Sequence, residues 1–164
     1  MIKITDNLLS VGDHQRLQHE LLGEHFAWYL NKYQVHPTID SDPQHIHLFY
    51  DECLPKSNRL DLLSPLIDAI NPATIRRIKA NLTMRQSANK VGESHVDYDR
   101  FSGKTAVFYV NTTNGGTMIN GELVSGLANR LVVFDADTPH SAVSCSDAPY
   151  RCVININFTE WMDA

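Results

Sequence analysis

Alternation of apolar and polar side chains dominates the second half of the chain. In and just beyond segment 75–84, Ile78, Ala80, Leu82 and Met84 fall on one side of an extended strand. Arg77, Lys79, Asn81, Thr83 and Arg85 fall on the other. Segment 105–111 opposes Ala106, Phe108 and Val110 to Thr105, Val107, Tyr109 and Asn111. Segment 150–158 opposes Cys152, Ile154, Ile156 and Phe158 to Arg151, Val153, Asn155 and Asn157. Shorter strands are predicted at 117–119, 122–124, 130–134 and 141–144, separated by turn residues. Asn120-Gly121 predicts a two-residue hairpin with an exposed tip, because both residues tolerate the positive φ that such a turn requires.

The first half has a helical period instead. Leu17, Leu21 and Leu22 share one side of a helix over Val11–Leu22, with Ser10 as cap and Gly23 as stop. A second helix is predicted over Ser64–Ile70, with Ser64 as cap, Pro65 at the first position and an end before Asn71-Pro72. Short strands are expected at 26–30 and 46–50. The expected fold class is α+β, mainly β: one domain over 1–164, with 1–74 supplying supporting helices and strands and 75–158 the sheet. The apolar strand faces need a cover, which the N-terminal helices can supply. The mixed faces have two outcomes. In an open sheet they meet water, whereas in a curled sheet they line a cavity.

Composition narrows the field. The chain's 164 residues, 43% of them hydrophobic, suffice for one core. A net charge of −5 excludes a histone-like role, since phosphate binding needs clustered positive charge. No apolar run reaches the roughly 18 residues of a membrane span, and Met1 to Leu9 carries Asp6 where a signal peptide would be apolar, so a soluble, cytoplasmic protein is expected. Cys53, Cys145 and Cys152 have no paired spacing and read as buried or idle thiols. Seven of the fourteen basic residues lie between Arg76 and Lys104, against three acids. Such a stretch suits an anionic partner or an ordinary solvated face.

The residues able to carry chemistry start with His95-Val96-Asp97, whose imidazole and carboxylate point to the same side of an extended backbone. Alone the motif means little, since eight histidines and nineteen acids in this length produce roughly one such match by chance. His140 follows in Asp137-Thr138-Pro139-His140-Ser141. Two imidazoles and one carboxylate form the facial triad of non-haem iron(II), which leaves coordination positions open. Arg151 lies on the mixed face of the last strand, where a buried guanidinium calls for an anion, and a carboxylate fits it through two parallel hydrogen bonds.

Together His95-x-Asp97, His140 and Arg151, set in segments 104–111, Gly115-Gly116-Thr117, 129–134 and 151–158, resemble the iron(II)/2-oxoglutarate-dependent oxygenases, in particular their prolyl 4-hydroxylase-like branch. The resemblance covers residues 75 to 158, about half the chain. It implies a double-stranded β-helix, the jelly-roll or cupin-like core. It implies iron(II) on His95, Asp97 and His140, 2-oxoglutarate as co-substrate with its distal carboxylate on Arg151, and O2. Tyr109 and Asn155 would add contacts to the co-substrate. Asn81, Thr83, Arg85 and Asn157 would face the substrate. The implied reaction is hydroxylation of a peptide, for instance at a prolyl residue, or of a small molecule, with release of succinate and CO2. Relatives often carry Tyr near Thr83, so the shorter side chain departs from the pattern.

Other arrangements are weaker. His45-Ile46-His47 puts two imidazoles on one strand face, but no Cys or acid completes a zinc site. Ser141 has no evident base arrangement. Two rival classes stay open: a cupin-like metal enzyme that does not use 2-oxoglutarate, and a non-catalytic jelly-roll binding module.

Overall fold

The computed structural model describes residues 1–35, 42–98 and 101–161. Thus Asp99 and Arg100, counted above in the basic stretch, lie outside the described residues. The elements run β1 (Lys3–Thr5), α1 (Val11–Leu22), β2 (Tyr29–Asn31), β3 (Gln44–Asp51), β4 (Leu54–Pro55), a 3-10 turn (Leu60–Leu63), α2 (Ser64–Ile70) and β5 (Thr74–Met84). They continue with β6 (Lys104–Tyr109), β7 (Gly116–Ile119), β8 (Glu122–Ser125), β9 (Arg130–Asp135), β10 (His140–Val143) and β11 (Tyr150–Thr159).

α1 begins where its sequence predicts. The Ser10 hydroxyl accepts from the Asp13 amide at 3.1 Å and donates to the Asp13 carboxylate at 2.6 Å, so the first turn is capped reciprocally. Gly23 ends the helix in extended backbone, and a Cβ there would lie 2.8 Å from the His19 carbonyl oxygen. α2 corrects the expected cap. The 3-10 turn runs straight into it, so Ser64 is already helical, and its hydroxyl donates back to the Asp61 carbonyl at 2.9 Å instead of capping. No described helix is long and apolar enough to cross a membrane.

The strands form two antiparallel sheets. The larger has the order β1-β9-β6-β11-β5-β3-β2, with β4 paired to β3; the smaller has the order β10-β7-β8. The Asn120-Gly121 turn joins β7 to β8 with both residues at positive φ (48° and 85°) and its tip exposed. β1 and β4, too short to carry a readable period, escape sequence analysis.

The alternation in the long strands now has a physical reading. Ile78, Ala80, Ala106, Phe108, Cys152, Ile154 and Ile156 pack against Leu17 and Leu21 of α1, Leu62 and Leu63 of the 3-10 turn, and Leu66 of α2. Removing one of these large side chains would cost about 2–5 kcal/mol through lost contacts and the cavity left behind. The other face is largely withdrawn from water. It closes on the small sheet, where Val107, Tyr109, Val132, Phe134 and Val153 pack with Ile119 and Val124. This is the jelly-roll arrangement, with its polar strand positions turned inward. Cys145 and Cys152 are buried free thiols and Cys53 is an exposed one.

Candidate metal centre and its anion pocket

Two backbone segments bring the histidines together. His95 and His140 form an isolated antiparallel bridge, with His95 N donating to His140 O at 3.0 Å and His140 N to His95 O at 2.9 Å. β10 starts at His140 and pairs with β7 through His140 and Ile119, which fixes how far the imidazole reaches into the cavity. Asp97 follows two residues after His95, on the same side. Ligand atoms of His95, Asp97 and His140 all lie within 4.8 Å of one another.

Each imidazole is held in one tautomer. His95 Nδ1 lies 3.2 Å from the Glu93 carbonyl and His140 Nδ1 lies 3.1 Å from the Thr138 carbonyl. A carbonyl only accepts, so Nδ1 carries the proton in both rings and Nε2 presents a bare lone pair. His140 Nε2 is buried with no hydrogen-bond partner among the described residues. Burial first, and then the neighbouring His140, hold the His95 pKa below its ordinary value, which keeps the ring neutral at neutral pH.

Asp97 is held ionised. Burial alone would raise its pKa, but Arg77 and then the Asn157 hydrogen bond act against burial, and the pKa is lowered. Arg77 Nη2 stands 3.0 Å from Asp97 Oδ1, and Asn157 Nδ2 donates to Asp97 Oδ2 at 2.8 Å.

Further along the same cavity lies Arg151, 3% exposed on β11. Its Nη2 donates to Thr117 Oγ1 at 3.1 Å, while its Nε is buried without a partner among the described residues. Tyr109 Oη donates to the same Thr117 oxygen at 2.7 Å. The Tyr109 proton is shared with the Val124 carbonyl oxygen at 3.3 Å, so Thr117 Oγ1 links Tyr109 to Arg151. Gly116 permits the close approach of β7 to β8, since a Cβ there would lie 2.2 Å from the Val124 carbonyl oxygen.

The structure sorts the remaining residues singled out in the sequence. Asn81, Thr83 and Asn155 line the cavity with His95, Asp97, His140 and Arg151. The Asn81 and Asn155 side-chain oxygens are buried without partners among the described residues. Tyr109 stands behind Thr117, not at the cavity wall. Asn157, expected to face substrate, is fully buried and bonded to Asp97 and to Thr105 at 3.0 Å. Arg85 departs most: it follows the last residue of β5, is exposed and lies outside the cavity, because inward alternation ends with the strand. His47 is tied to the Ala27 carbonyl at 2.7 Å and to Ser57 Oγ at 2.8 Å, and no third ligand joins it and His45 among the described residues.

Arg77, Lys79 and Thr117 are site residues that sequence reasoning passed over. The period-2 pattern had placed Arg77 and Lys79 on the correct face, but nothing in it paired Arg77 with Asp97. Thr117 had no signal beyond its Gly-Gly neighbours.

Comparison with solved structures gives the arrangement a context. A prolyl-4-hydroxylase from Pseudomonas putida matches over 98% of this chain and 92% of its own, with TM-score 0.66 and 19% identity. An oxidoreductase of the 2OG-Fe(II) oxygenase family from Burkholderia pseudomallei matches over 99% and 87%, with TM-score 0.70 and 12% identity. This chain has the 2OG-Fe(II) oxygenase fold. A prolyl hydroxylase from Trichoplax adhaerens, solved with a peptide fragment of the hypoxia inducible factor oxygen degradation domain, shares that fold over 97% of this chain and 83% of its own, with TM-score 0.69 and 11% identity. No family model and no curated protein matches the chain. The likeness therefore lies in the 2OG-Fe(II) oxygenase architecture, with few residues shared.

Proposed function

We propose that the protein is an iron(II)- and 2-oxoglutarate-dependent dioxygenase that hydroxylates a C–H bond. The observation that carries this reading is the pairing of a three-donor cluster with a buried, half-satisfied guanidinium in one cavity. The donor set fits iron(II): two imidazoles whose Nδ1 atoms are bonded to carbonyls, leaving Nε2 to ligate, and one ionised carboxylate, on one side, with the opposite side open to the cavity. Iron(II) bound there, with 2-oxoglutarate and O2, supplies the oxidising power for hydroxylation and yields succinate and CO2.

The chain's own residues supply position and environment. His95, Asp97 and His140 hold the metal, and the Glu93 and Thr138 carbonyls keep both rings in the ligating tautomer. Arg77 and Asn157 fix the carboxylate and keep it charged. Arg151 meets the distal carboxylate of 2-oxoglutarate, and the Thr117 hydroxyl stands beside it, bonded to Arg151 Nη2. Tyr109 acts through Thr117, as a positioning residue. Val107 and Val153 line the cavity and limit water near the reacting groups. Asn81, Thr83 and Asn155 stand where a substrate can be oriented.

A cupin-like metal enzyme acting on an anion without 2-oxoglutarate would also answer the buried Arg151, so the two readings part on whether 2-oxoglutarate itself binds. The test is anaerobic addition of iron(II) and then 2-oxoglutarate, followed by O2. A visible metal-to-ligand charge-transfer band and then succinate are expected. No band at saturating ligand would overturn the reading, and a band without succinate would favour a binding module. The peptide prolyl residue remains one candidate substrate, tested by mass shift of Pro-containing peptides after turnover.

A further inference from the structure

The basic stretch between Arg76 and Lys104 does not form one anion-binding face. Arg76 stacks on Tyr98 at 4.3 Å, Arg77 pairs with Asp97, Lys90 pairs with Asp42 at 2.9 Å and Lys104 with Asp135 at 2.6 Å. Arg85 points to solvent. Lys79 is different: it lines the metal cavity, half-buried, and has no hydrogen bond and no ion pair within 4 Å among the described residues. The proposed function leaves it without a task.

Its position along the sheet is informative. Lys79 pairs in register with Asn155, and the neighbouring pair is Arg77 with Asn157, the two residues that hold Asp97. Arg151 pairs instead with Thr83, four residues from Lys79 and about 13 Å along the strand at roughly 3.3 Å per residue. Lys79 therefore belongs to the metal end of the cavity, where the carbon to be oxidised must lie, and not to the end that receives the distal carboxylate.

Charge balance leads the same way. Asp97 is matched by Arg77, and a 2-oxoglutarate dianion matches iron(II). With the distal carboxylate on Arg151, Lys79 is the lining cation with no counter-charge in contact among the described residues: Asp97 and Asp51 act on it only from beyond ion-pair distance, and the other acid lining the cavity, Glu93, is exposed at its rim. A cation in such a place costs free energy until an anion meets it.

Resting on the iron and 2-oxoglutarate reading, we propose that Lys79 is the anion-binding residue for the primary substrate, which carries a carboxylate or phosphoryl group next to the carbon that is hydroxylated. Burial first, and then Arg77, lower the Lys79 amine to about 8, still protonated at neutral pH, and an anion in contact would raise it again.

The test uses the whole chain loaded with Zn(II), which binds the same donors without turnover, and two probes, inorganic phosphate and acetate. Binding of each probe is followed calorimetrically with 2-oxoglutarate saturating, in wild type, Lys79→Met and Lys79→Arg. At least one probe is expected to bind wild type and Lys79→Arg, and to lose tenfold or more in Lys79→Met, while the 2-oxoglutarate affinity of Lys79→Met stays within threefold. Preference for phosphate or acetate tells which anion the substrate carries. Equal probe binding by Lys79→Met, or no probe binding by wild type, would overturn the proposal. So would a tenfold loss of 2-oxoglutarate affinity in Lys79→Met, which would move Lys79 to the co-substrate. Should wild type fail to bind 2-oxoglutarate at all, the proposed function fails; the probe comparison without 2-oxoglutarate then still decides on Lys79. Lys79→Gln replaces Lys79→Met if the latter does not fold.

Discussion

Asn157 Nδ2 donates to Asp97 Oδ2 at 2.8 Å, across sixty residues of chain. A side chain that alternation places on the cavity face thus holds the carboxylate of the candidate metal centre. It also donates to Thr105 Oγ1, so its orientation is fixed from two directions. Partners of this kind typically carry tenfold to hundredfold in metal affinity, because a ligand free to rotate must be ordered again on binding.

Asn157→Ala is therefore expected to weaken Zn(II) or iron(II) binding about 10–100-fold. It should also raise the Asp97 pKa, since one interaction that favours the charged form is lost. Metal titration together with the carboxyl carbon shift by NMR checks both. Loss of stability alone, with unchanged metal affinity and Asp97 titration, would make Asn157 merely structural.

Arg151→Met separates the co-substrate from the metal. Two charge-assisted hydrogen bonds at about 1.5–3 kcal/mol each imply a loss of about 100-fold or more in 2-oxoglutarate affinity. Zn(II) affinity should stay within about threefold, since Arg151 touches none of the three donors. Thermal unfolding should hold or rise, because removing a buried, half-satisfied guanidinium offsets the one hydrogen bond lost to Thr117.

Tyr109→Phe removes a donor from Thr117 while keeping the ring in its packing. The expected cost is about 1 kcal/mol of stability, the usual worth of a neutral hydrogen bond. A loosened Thr117 should weaken 2-oxoglutarate binding by about threefold to tenfold and leave metal binding unchanged. Equilibrium urea unfolding and calorimetry provide the two numbers.

Lys79 predicts a pH dependence of stability. Its folded-state pKa is lowered from 10.5 to about 8. Below pH 8 both folded and unfolded chains are protonated, and the fold bears the full cost of a half-buried charge. Between about pH 8 and 10.5 the folded chain sheds the proton first, so Lys79 destabilises less and less as pH rises. Without ligands, Lys79→Met should be the more stable protein at pH 7, with a gap to wild type that closes towards pH 10.5. Urea midpoints of the two proteins at a series of pH values measure it, and a gap that widens instead would contradict the assigned environment.

Much of this molecule could be read before any coordinates. The helix Val11–Leu22 and the long strands were legible because their periods are local: burial of one face repeats every 3.6 or every 2 residues, and capping by Ser10 involves only its neighbours. The triad and Arg151 were legible as residue types at a spacing. Where the pattern was too short, as in Lys3–Thr5, or where a neighbouring element took over, as the 3-10 turn did at Ser64, local reading failed.

Sequence by itself determined which side chains share a strand face and which of them can ligate, because those properties are set within a few residues of backbone. Tertiary structure alone decided what each polar face would meet. Closure of the large sheet on β10-β7-β8 turned those faces from solvent to cavity. It put Arg77 and Asn157 on Asp97, Thr117 between Tyr109 and Arg151, and Lys79 near the metal donors. Such contacts join residues tens of positions apart, and only the packing of one sheet on the other brings them within hydrogen-bond and Coulomb range.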